Sequence, residues 1–255
     1  MPVTEAFLKE RTLLAKPEFY KFLLKTADCS LKFKDKYSLD DCRYTFFAHF
    51  FELNGWLMIQ LDQFLGLLDS QEQIKFNDKA LDDKHRLTFL DQFDTINRAN
   101  YSTTGIFYTE QLLKSINVTI GKHLSRDGYW NITRDLLFYL DPSLTESLTK
   151  SLKKPNYIKM KNDIIKNDKN HLILNTPAQI RNTLHNNGYT NKDFDIVVND
   201  KLISVKKDKQ LVGTGWMTLC KVFDALIELL LVILYNPKIE KIKRIPELYK
   251  SEQGI

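Results

Sequence analysis

A chain of 255 residues that is 43% hydrophobic and 12% aromatic has enough apolar surface for one sizeable core or two smaller ones. Nine Gly and seven Pro argue against a loop-rich fold, and a net charge of +5 permits a polyanionic partner without demanding one. Cys29, Cys42 and Cys220 form no CxxC and no Cys/His zinc spacing, so the simplest reading is reduced thiols in a cytoplasmic protein, with no metal and no cofactor.

The N-terminus carries charges throughout and lacks the apolar centre of a signal peptide. Phe7, Leu13, Leu14, Phe19, Phe22 and Leu23 predict one or two helices over residues 3–27, with a break or restart at Pro17. Residues 28–41 mix Lys, Asp and Ser and read as a connection. Residues 42–69 are apolar on most sides and predict a long helix central to a bundle, with Glu52, Asn54 and Asp62 as its conspicuous polar positions. Residues 70–100 read as polar and helical, and 101–121 as helix with a β-branched tail. A turn at Asp127 and Gly128 precedes a helical stretch to residue 140. A short helix follows Asp141 and Pro142, and residues 153–169 carry a run of lysines suited to solvent or to phosphate contact.

In residues 176–189, Thr176 suits an N-cap, Pro177 the first helical position, and Asn187 with Gly188 a left-handed stop. Inside this helix Arg181 and His185 lie four apart, on one face. Ile196, Val197, Val198 and Leu202, Ile203, Val205 flank Asn199 and Asp200 and predict a basic β-hairpin near residues 194–207. Residues 215–235 predict a closing apolar helix, whose most apolar run, 222–235, is interrupted by Asp224 and Glu228 and too short to span a bilayer comfortably, so it reads as buried and no membrane is expected. The tail 238–255 is basic and reads as peripheral.

Arg181, Asn182 and His185 resemble the signature of the HEPN superfamily of helical ribonucleases and their relatives: an Arg, a polar residue after it, and a His. Three residues separate Arg from His here, where the family usually has four to six. The resemblance implies a helical bundle of HEPN type, in agreement with a chain that itself reads as mainly α with a small β-hairpin insertion, residues 1–41 forming an N-terminal helical segment packed on a body of 42–255. It implies metal-independent cleavage of RNA through a 2′,3′-cyclic phosphate, and a homodimer with a composite site. It also suggests a role as toxin or phage-defence effector, restrained by an antitoxin or regulatory protein.

In that reading His185 moves a proton, Arg181 stabilises phosphate charge, and Asn182 holds the phosphate or positions its neighbours. Glu52 or Asn54 supports the pair, and Lys206, Lys207 and Lys209 contact RNA. Two other readings stay open. One is an inactive module that binds RNA, nucleotide or a protein. The other is a structural domain in which Arg181 bonds a carboxylate and His185 a backbone carbonyl. A rival match, Arg43 and His49, places its residues roughly 120° apart on a helix, and His49 reads as a structural histidine among phenylalanines.

Overall fold

A computed structural model describes residues 3–70, 75–76, 79–122, 127–149, 156–186, 189–209 and 215–248; at Lys75, Phe76, Lys79, Ala80 and His185 it describes backbone alone. Helix α1 (Glu5–Lys36) starts where the Thr4 hydroxyl accepts the Phe7 amide, and it runs unbroken for 32 residues. The break expected at Pro17 does not occur. Pro17 and Leu13, whose carbonyl loses its helical donor, both lie on the exposed face, where that carbonyl is open to solvent instead of being buried unpaired. The connection expected from residue 28 is also helix as far as Lys36. Phe22, Thr26, Cys29 and Phe33 continue a buried stripe at spacings of three and four.

Helix α2 (Cys42–Asp69) is capped by the Asp41 carboxylate and ends at Ser70. The helix expected directly after it is replaced by a short antiparallel pairing, β1 (Lys75–Phe76) with β2 (Lys79–Ala80). Helix α3 (Asp83–Thr119) then begins at the Asp82 cap and continues for 37 residues through the β-branched stretch. There Thr109 and Thr119 turn their hydroxyls back onto the carbonyls of Gly105 and Ser115, a bond that fits these side chains into a helix.

The chain continues as α4 (Tyr129–Leu140), α5 (Pro142–Thr149), α6 (Tyr157–Ile165) and α7 (Lys169–His185). The hairpin β3 (Phe194–Val198) and β4 (Lys201–Val205) follows, paired from Phe194↔Val205 to Val198↔Lys201. Asn199 and Asp200 both take positive φ, the conformation a two-residue turn of this hand requires. Helix α8 (Trp216–Leu234) and the short α9 (Pro237–Glu240) complete a mainly α bundle whose β structure, among the described residues, is the short β1–β2 pairing and the β3–β4 hairpin.

Helix α8 carries the centre of the core, packing against α1, α3, α7 and β3, while α2 packs on α1 and α3. Phe19 meets Tyr101 and Trp216 edge-on, and Phe223 of α8 meets Phe50 and Tyr101. Buried Asp94 gathers Arg11, Arg98 and the Trp216 indole N–H, joining α1, α3 and α8.

The close approach of α3 and α8 depends on Gly105. A Cβ there would lie 2.7 Å from Phe223 Cε1 and 3.3 Å from Phe50 Cζ. Gly105→Ala is therefore expected to destabilise by about 1–2 kcal/mol, because overpacking outweighs the helix-propensity gain of alanine. Gly55→Ala and Gly66→Ala meet nothing within 4 Å. They keep that gain and should be neutral or stabilising by up to about 1 kcal/mol in urea denaturation.

The described part of the basic tail, residues 238–248, is not peripheral, as its charge suggests; residues 249–255 lie outside the described residues. Ile239 and Ile245 are fully buried, and Arg43 holds the segment from inside. Its guanidinium donates to the carbonyls of Ile239 and Ile242, and the Asp41 carboxylate accepts the Ile245 amide.

Candidate functional site

Helix α7 begins eight residues earlier than the sequence suggests. Asp168, accepting the His171 amide at 2.8 Å, is its cap, so Thr176 and Pro177 lie inside the helix. The Thr176 hydroxyl does receive a backbone N–H, but from outside its helix. It donates to Leu172 O at 2.8 Å and accepts the Val197 amide at 2.9 Å, fastening α7 to β3. At the other end the Asn186 amide bonds to the Asn182 and Thr183 carbonyls. The stop expected at Asn187 and Gly188 lies outside the described residues.

Arg181 stands half-exposed near this end. Its Nε and Nη2 donate to Asn182 Oδ1 at 3.2 and 3.0 Å. Arg11, Arg43, Arg86, Arg98, Arg134 and Arg244 each hold a carboxylate. Among the described residues no carboxylate pairs with Arg181. Its charge is felt at the Tyr129 hydroxyl, which donates to Leu174 O at 2.8 Å. Burial raises the Tyr129 pKa well above its ordinary value, Glu110 adds to this, and Arg181 opposes it. His185 is the last residue of α7, one turn beyond Arg181, and its ring lies outside the described atoms.

The hairpin brings its lysines to the same end of α7. Thr190, five residues past His185, donates its amide to Lys209 O and its hydroxyl to Lys206 O, and accepts the Asp208 amide. Lys206, Lys207 and Lys209 are all exposed there. Lys206 Nζ lies 3.1 Å from Asp193, which also accepts the Lys207 amide at 2.7 Å.

Glu52 and Asn54 sit on another part of the bundle. Asn54 is fully buried, donating to Thr26 Oγ1 at 3.2 Å and accepting the Tyr101 hydroxyl at 2.7 Å, so its amide ties α1, α2 and α3 together. Glu52 is exposed in a shallow cleft whose lining, including Trp56, Asn100 and Tyr108, comes from α2 and α3.

A groove of about 520 Å³ runs between α7 and the hairpin, with Trp130 of α4 and Lys166 on its wall. Leu172, Asn175 and Gln179 face it from α7, and Asn182 continues their stripe, all four within about 80° around the helix axis. Sequence reasoning missed Trp130, Asn175 and Gln179. The helical spacing of Asn175, Gln179 and Asn182 was the available signal, hidden by starting the helix too late.

Beneath the groove lies buried His171, its ring edge-on to Trp130 at 4.0 Å and in contact with Thr133 and Asn175. Burial, helped by Arg134, lowers the His171 pKa from 6.5 to about 4 against the pull of a Trp130 backbone bond. The unfolded chain thus holds a proton that the native chain lacks between those values. Stability is complete above about pH 6.5 and should fall by about 3 kcal/mol as pH drops toward 4. His171→Gln should remove that share of the slope, seen as the difference between wild-type and variant urea midpoints across this range.

The rival pair is separated by burial. Arg43 is sealed, with its Nε and Nη2 on Asp41 at 2.8 and 2.6 Å and its guanidinium 3.6 Å from the centre of the Tyr37 ring. His49 is half-buried, not enclosed by phenylalanines. It stacks on Tyr108 at 4.9 Å and lines an apolar cleft of about 300 Å³ with Phe46, Phe107 and Leu112.

Among the described residues no cluster of three or more His, Cys, Asp or Glu is placed to hold a metal ion, and no helix is long and apolar enough to cross a membrane. Comparison with family models, curated proteins and solved structures finds no match.

Proposed function

We propose that this chain is a metal-independent endoribonuclease acting through Arg181, Asn182 and His185. The supporting observation is the state of Arg181: half-exposed, without a carboxylate partner among the described residues, and oriented by an amide oxygen rather than neutralised. An arginine that served only packing would be expected to carry an anion, as the other described arginines do.

RNA supplies its own nucleophile in the 2′-hydroxyl. His185 takes the 2′-proton as O2′ bonds to phosphorus and the P–O5′ bond breaks. Arg181 offers two parallel donors to the phosphate oxygens while charge builds there, and Asn182 fixes the fork. The products end in a 2′,3′-cyclic phosphate and a 5′-hydroxyl. A homodimer would set a second His185 opposite the first to protonate the leaving 5′-oxygen.

The exposed Lys206, Lys207 and Lys209 beside the end of α7 favour a polyanion there. The same lysines and the adjacent groove favour, as a second reading, a module that binds RNA without cutting it. Incubation of the purified chain with single-stranded RNA in excess EDTA separates the two. Fragments bearing cyclic phosphate are expected; intact RNA, or cleavage that requires added metal, would reject the proposal. A toxin role predicts growth arrest on expression that Arg181→Ala relieves.

A further inference from the structure

We propose that the groove between α7 and the hairpin seats a base of single-stranded RNA a few nucleotides from the scissile phosphate, with Trp130 as the stacking platform. The inference rests on the ribonuclease reading for its substrate and on separate residues for its site. Trp130 is 37% exposed and opens onto the groove while its ring is held edge-on by His171, so little conformational freedom is lost when a base stacks on it.

Asn175, only 5% exposed, commits its amide nitrogen to His171 and Thr133, and its carbonyl oxygen has no partner among the described residues. That oxygen is an acceptor for a base amino group. Gln179 lies one turn further toward Asn182. From Asn175 to Asn182 is about 10 Å along the helix, which sets the base apart from the cleavage point.

The groove contains both signs of charge. Asp193 is engaged by Lys206 and the Lys207 amide, and Asp195 by the Ser204 hydroxyl. Lys166 and Lys192 hold no carboxylate among the described residues and are left for phosphate. Aromatic face, unpaired acceptor and free cations are what an unpaired strand offers partners for; a duplex hides its base faces.

The test is binding of a short 2′-O-methyl RNA of mixed sequence, which cannot be cleaved, to the full chain by fluorescence anisotropy. Trp130→Ala should weaken binding by about 10-fold or more, and Trp130→Phe should restore most of it. Lys166→Glu with Lys192→Glu should weaken binding and reduce the salt dependence by about one ion per lysine. Fluorescence quenching in a Trp56→Phe background, where Trp130 is the exposed emitter beside buried Trp216, reads stacking without disturbing the site.

Unchanged affinity in Trp130→Ala, absent quenching, or equal affinity for duplex would each overturn the proposal. If binding survives Trp130→Ala while Arg181→Ala stops cleavage of unmodified RNA, the groove proposal fails and the nuclease stands. If binding is lost in Trp130→Ala but cleavage ignores Arg181→Ala, the nuclease reading fails and the groove stands.

Discussion

Arg181→Ala is expected to lower RNA cleavage by about 10²–10³-fold while leaving the melting temperature unchanged within about 1 °C. The first number is the usual loss when one preorganised donor to a developing oxyanion is removed. The second follows from the environment. Arg181 is half-exposed and bonds only an exposed amide oxygen, so its loss leaves no buried group unpaired.

Arg181→Lys should fall between, because the ammonium keeps the charge but cannot present two fixed, parallel donors. Asn182→Ala should cost less than Arg181→Ala, since the fork loses its orientation but not its presence. His185→Ala should lower the rate by about 10²–10⁴-fold through loss of proton transfer. The pattern discriminates between roles. A structural arginine would lower stability and activity together, whereas a phosphate-binding one lowers activity alone. Full activity in Arg181→Ala would remove the basis of the nuclease proposal.

The helices were legible where burial followed apolar letters. Residues 42–69 and 216–234 are dense in Phe, Leu and Ile, and their ends are close to where the sequence places them. The hairpin was legible because two β-branched runs flank a turn pair that tolerates positive φ. Misreadings occurred where polar residues serve the interior. Thr26 and Cys29 carry the buried stripe of α1 across residue 27, yet Thr26 is polar and Cys29 stands alone among Lys, Asp and Ser, and Pro17 reads as a break although the Leu13 carbonyl it frees lies on the exposed face.

Thr176 is the instructive case at the site. Its hydroxyl accepts an amide as a cap would, but that amide belongs to β3. Local sequence describes the hydrogen-bonding capacity of a residue and not the distant strand that uses it. The same limit hid the groove, whose walls come from α4, α7 and the hairpin.

Asp41→Ala is expected to destabilise the fold by about 3–5 kcal/mol, the cost of leaving a buried charge without its partner. Arg43 and Asp41 are both inaccessible to water, and the carboxylate accepts from Arg43 Nε and Nη2, the Arg43 amide and the Ile245 amide. Removing it strands the guanidinium and uncaps α2 in one step. At this chain length the loss corresponds to a melting temperature lower by roughly 6–20 °C.

Asp40→Ala provides the contrast, since its pairing with Arg244 is solvent-exposed and should cost no more than about 1 kcal/mol. Asp41→Ala combined with Arg43→Met should recover part of the loss, because no uncompensated charge remains inside. The change also has a local signature. Asp41 and Arg43 supply the buried side-chain bonds that hold residues 239–245 against the start of α2, whereas Asp40 adds only an exposed pair with Arg244, so trypsin should cut after Lys241 and Lys243 faster in Asp41→Ala than in Asp40→Ala. Equal cleavage and equal stability in the two variants would mean that the segment is held by its buried isoleucines and the Cys42 amide bond to Ile245 O, and that the ion pair merely occupies the space between them.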